Sequence, residues 1–121
     1  MYGKRGLGMD SYVEKALQEW KKEIYSTLDG IDKKYEETRS ELQVYNYKYN
    51  ITKQVVQSTM NEEMIRNIRE QYQKPFEKKF NELKESIKDL EEKKKVYQMF
   101  VDKIDRVLEK GEDSSKIPFS E

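Results

Sequence analysis

Two long runs of apolar residues spaced three and four apart, separated by one short break, govern what this chain can fold into. The first run is Val13, Leu17, Trp20, Ile24, Leu28, Ile31, Tyr35, Thr38, Leu42, Tyr45, Tyr49, Thr52 and Val56. The second is Ile65, Ile68, Tyr72, Phe76, Phe80, Leu83, Ile87, Leu90, Lys94, Tyr97, Val101, Ile104 and Leu108. Alternating steps of three and four put one stripe on one side of an α-helix, and a seven-residue repeat of this kind is the mark of helices that pack along a seam. Each run carries one stutter: an extra step of four between Ile24 and Leu28 in the first, and in the second a run of fours from Ile68 to Phe80 that spans Pro75. The tyrosines at 45, 47 and 49 alternate as they would in a strand. The helical phase nevertheless passes through Tyr45 and Tyr49 without interruption from Leu28 to Val56, and length decides for helix.

The break is "STMNEE", where Thr59 with Glu62, or Asn61 followed by two glutamates, can cap a new helix. If the chain turns back there, facing positions should sum to about 121, and the seams match layer by layer, from Val56 with Ile65 to Val13 with Leu108. The expected fold is all-α: a long antiparallel two-helix coiled-coil hairpin with a proline kink or break in the second helix and flexible termini. The boundaries expected are a flexible tail over 1–9, a hairpin over 10–110 (helix 10–58, turn 58–62, helix 62–110) and a disordered tail over 111–121. Asp10 and Ser11 offer the first cap, Gly111 a stop. Lys94, opposite Leu28 in this register, is expected to snorkel out of the seam.

Composition narrows the function. Charged residues make up 40% of the chain, more than a compact globule carries, and suit long solvated helices. Lysine and arginine total 24, as do aspartate and glutamate, so neither a basic nucleic-acid binder nor an acidic mimic of one is favoured. Between Lys74 and Val96 eight lysines stand among six acidic residues, an interleaving that reads as ion pairing along a helix. With no histidine and no cysteine there is no disulfide, thiol nucleophile or Glu-x-x-His metal motif. Carboxylate pairs such as Glu36 with Glu37 and Glu62 with Glu63 fall on solvated stretches, where nothing would hold one group protonated. No catalytic residue, cofactor or metal is expected, and the chain reads as a non-enzyme. No apolar run is long enough to cross a membrane, which points to a cytoplasmic protein or one exported without a classical signal peptide.

Function is expected on residues that point away from the seam. Val44, Tyr47 and Ile51 form one outward group, and Tyr25, Val96, Met99 and Phe100 another, with Val107 nearby. These seven are the expected partner-binding residues, because a lone hairpin buries little core for its length and gains from a further helical layer. The expected function is a helical interaction or assembly protein, an adaptor that forms a homodimer or docks on a larger protein. In topology and length the hairpin resembles the small helical-hairpin substrates and targeting partners of type VII secretion. That class carries a Trp-x-Gly turn and a Tyr-x-x-x-Asp/Glu signal after the second helix; here the turn is "STMN", Trp20 is in the first helix, and so is the Tyr25 to Asp29 spacing. Prefoldin-like chaperones are similar in length and helical arms but need strands for which "STMN" leaves no room. A third reading is a small inhibitor or regulator of a host protein, of phage or mobile-element origin, in keeping with the Lys, Glu, Tyr, Ile and Asn bias of an AT-rich bacterial or phage genome.

Overall fold

The computed structural model describes residues 10–110, and they form an all-α helical hairpin, with no strand among the described residues. Helix α1 spans Ser11–Gln57, α2 spans Glu62–Ile68, a π-helical turn spans Arg69–Gln73, and α3 spans Lys74–Lys110. The expectations for 1–9 and 111–121 lie outside the described residues. Asp10 begins α1: its side chain accepts the Tyr12 N–H at 2.9 Å and its carbonyl the Glu14 N–H at 2.9 Å. At the turn the cap is Asn61, with extended backbone and its side chain accepting from Met64 N–H at 3.0 Å. Thr59 makes no capping box; its hydroxyl donates to the carbonyl of Val55 at 2.6 Å and closes α1 instead.

The proline in the second arm is accommodated without a break. Arg69 and Lys74 both keep right-handed helical backbone angles, and Lys74 N–H donates to the carbonyl of Arg69, five residues back. Proline lacks an N–H and crowds the carbonyl four residues before it, so a turn widened by one residue ahead of Pro75 relieves the clash. The extra step in the seam is therefore taken up at Arg69–Gln73. One consequence is a correction to the seam: Gln73 turns inward and is half-buried, while Tyr72 stands outside, half exposed.

Contacts divide the hairpin into two compact units. The terminal unit comprises the described parts of 1–31 and 93–121. Its core is Ile24, Leu28, Val101 and Ile104, with Leu17, Tyr97 and Leu108 packed against it and Val101 the most deeply buried, 1% exposed. Trp20, expected opposite Val101, is 43% exposed at the rim. An axis filled by aliphatic side chains around a fully enclosed valine has no room for an indole. Val13 and Lys94 are exposed as well. An ion pair between Lys21 and Asp105 joins the two helices along one edge.

The turn unit spans 32–92. Thr38, Thr52, Val56 and Leu83 are its buried residues, and Leu42, Tyr45, Tyr49, Ile65, Phe76, Phe80 and Ile87 are half-buried along the same faces. The two threonines satisfy their hydroxyls on their own helix, donating to the carbonyls of Lys34 at 2.8 Å and Lys48 at 2.7 Å. Burial without a polar partner across the seam thus costs little. Tyr35 lies at the edge and donates its hydroxyl to Glu91 at 3.2 Å.

Candidate protein interface

The most distinctive surface of the turn unit follows from its sequence over 42–61. In a chain that is 40% charged, these twenty residues contain no aspartate or glutamate and only two charges, Lys48 and Lys53. Both lysines are engaged by their own helix or its neighbour. The Lys48 ammonium lies 4.7 Å from the centroid of Tyr45 and 5.4 Å from that of Phe76, and the Lys53 ammonium lies 5.6 Å from the Tyr49 ring. Such contacts hold a cation over the electron-rich ring face and keep it on the side of the rings.

The seam uses one face of α1 here. At 100° per residue, Val44, Tyr47, Ile51 and Val55 fall within a sector of about 80°, displaced from the seam by about a third of a turn. All four are open to solvent, at 48%, 60%, 56% and 46% exposure. They form an apolar stripe about 16 Å long. Val44, Tyr47 and Ile51 are the outward residues expected from the sequence. Val55, which sequence reasoning missed, extends them by another turn, and its signal was legible: it continues the same sector inside the acid-free stretch. Apolar surface with an aromatic side chain and its charge depleted is the composition of an interface centre.

The second group belongs to the terminal unit. Phe100 meets Trp20 edge to face, with centroids 5.7 Å apart, and lies 5.8 Å from Tyr97. Val96 and Met99 are exposed on the same side of α3 as Phe100, so the outward residues expected there join an aromatic cluster anchored by Trp20. Tyr25 is separate in its contacts; it is half exposed and lies beside the Lys21 ammonium, 6.0 Å from its ring centroid. Val107 is half-buried.

Elsewhere the chemistry is sparse. An open depression beside the π-helical turn is lined by Glu62, Ile65, Arg66, Arg69, Glu70 and Lys74, of which Lys74 and Glu70 pair with each other at 2.8 Å. Next to it in sequence, the side-chain oxygen of Gln73 is buried with no hydrogen-bond partner. Among the described residues no group of three or more acidic, histidine or cysteine side chains is placed to hold a metal ion. No helix among them is long and apolar enough to cross a membrane. Comparison with protein-family models, with curated proteins and with solved structures finds no match.

Proposed function

We propose that this protein is a non-enzymatic helical interaction protein that self-associates or docks on a larger protein partner through its outward apolar surfaces. The observation that supports this most is the Val44, Tyr47, Ile51 and Val55 stripe, an exposed apolar surface within a stretch stripped of acidic residues. Solvent-facing positions on a helix of this composition would ordinarily carry charge, as they do along most of α1 and α3. Trp20, Phe100 and Met99 supply a second exposed group of the residue types that anchor interfaces. The test is the double variant Tyr47→Ser with Ile51→Ser. Circular dichroism should show undiminished helicity, while light scattering or capture of partners from the native host should show lost association. A variant that keeps both its oligomeric state and its partners would remove this surface from the proposal.

A second reading rests on topology. Two helices joined by a short turn also suit a targeting partner of a type VII-like secretion system, in which case the same stripe would face another hairpin. Appearance of the protein outside cells, dependent on such a system, would favour it; retention in the cytoplasm would oppose it.

A further inference from the structure

We propose that the partner of the Val44–Val55 stripe is the same stripe on a second copy of this chain, packed antiparallel about a two-fold axis near residues 49 and 50. This rests on reading the stripe as an interface and commits it to one occupant. The spacing of the stripe supports it. An isologous contact must match a surface to itself in reverse, so the residues at one end must suit those at the other. Pairing positions that sum to 98 or 99 sets Val44 against Val55 and Tyr47 against Ile51 of the other copy, and the same again on the far side of the axis. Every apolar stripe residue meets another.

Charge excludes a partner with a charged contact face, and the self-matching spacing then favours a copy. A helix that brought acidic or basic groups to this face would find no carboxylate between Glu41 and Glu62, and only two lysines, each held over rings of its own hairpin. Its charges would be desolvated without counter-charge, which is costly. The stripe of a second copy brings none. Direction follows from Lys48, the lysine nearest the stripe on the helical wheel. A parallel pair would put the two Lys48 side chains level with each other, whereas the antiparallel pair puts Lys48 level with Ile51 of the other copy.

Size sets the strength. The exposed parts of the four stripe residues amount to about half of the roughly 800 Å² per partner that a stable complex of standard size covers. The contact is therefore one that forms and dissociates with concentration.

Cross-linking tests the pairing directly, because the chain has no cysteine of its own. Val44→Cys and Val55→Cys proteins are each checked for parental helicity, then oxidised separately and as an equimolar mixture. The expected result is a mixed disulfide dimer in several-fold excess over either homodimer. In parallel, sedimentation equilibrium of the unaltered chain should show a mass rising from one chain towards two with concentration, and Tyr47→Ser with Ile51→Ser should stay at one. Homodimers that form as readily as the mixed species would overturn the antiparallel pairing. An unaltered chain that remains a monomer up to several hundred micromolar would overturn self-pairing altogether. In that event, loss of a host partner from the serine variant would leave the stripe an interface for a different protein, and unchanged capture would remove the interface reading as well.

Discussion

The ring of Tyr45 meets that of Phe76 edge to face across the turn unit, with centroids 5.9 Å apart and planes at 65°, and the ammonium of Lys48 lies over both. Two residues along, Tyr47 is 60% exposed. Neighbouring tyrosines of one helix therefore have different energetic roles. Tyr45→Ser removes a half-buried ring together with its edge-to-face contact and its cation. It should cost about 2 kcal/mol, below the roughly 3 to 5 kcal/mol of a fully buried aromatic. Tyr47→Ser should change the stability of the monomer by less than about 0.5 kcal/mol. Urea denaturation of the two variants at low concentration measures the difference. Equal losses would mean that Tyr47 packs against the hairpin.

Gly30 stands inside α1, exposed, and a Cβ added there would meet nothing within 4 Å. Glycine in a helix interior leaves the unfolded chain more freedom to lose, so Gly30→Ala should stabilise the protein by about 1 kcal/mol. Thermal melts of the two proteins check this. A decrease would show that the backbone at 30 departs from regular helix in solution.

The sequence carried the helices and most of the seam, because three-and-four spacing translates directly into one face of a helix. Ile24, Leu28, Val101 and Ile104 all lie in the core on that rule. It failed where size or backbone geometry intervened. Spacing alone gave Trp20 an inward position, but a narrow aliphatic layer turns the indole out to Phe100. Spacing alone sets the extra residue at Pro75 and turns Tyr72 inward; the structure inserts it one turn earlier, which rotates Gln73 in and Tyr72 out. For the candidate interface, Val44, Tyr47 and Ile51 were legible as residues off the seam. Val55 lies in the same sector, and the lack of acidic residues over 42–61 is equally plain in the sequence.

The π-helical turn makes a deletion informative. Removing Gln71 leaves Ile65, Ile68, Gln73, Phe76, Phe80 and Leu83 in unbroken steps of three and four, so the seam no longer needs a wide turn. Pro75 would then sit in ordinary α-helix, at a cost of about 3 kcal/mol. The deletion alone should be clearly destabilising, and the deletion combined with Pro75→Ala should recover that loss. Pro75→Ala alone should gain less than about 1 kcal/mol, because the wide turn already relieves the ring. Denaturation midpoints of the three variants test the coupling. Additive effects would show that the proline and the wide turn are independent.

Lys21 and Asp105 pair across the two helices of the terminal unit. The pKa of Lys21 is raised above the ordinary lysine value, chiefly by its hydrogen bond to Asp105; partial desolvation opposes this and attraction to the same carboxylate adds to it. A raised pKa in the folded state means that the folded protein binds this proton more tightly than the unfolded chain does. The contribution of the pair is therefore complete at pH values below the ordinary lysine range and is lost as pH climbs through the raised value. Asp105→Asn removes the carboxylate and with it the chief cause of this dependence. The variant should be slightly less stable than the parent at neutral pH, as expected for a pair near the surface. The gap should close above the ordinary lysine range. Melting both across neutral to strongly alkaline pH gives the comparison, and a gap that widens with pH would reverse the assignment of the shift to this pair.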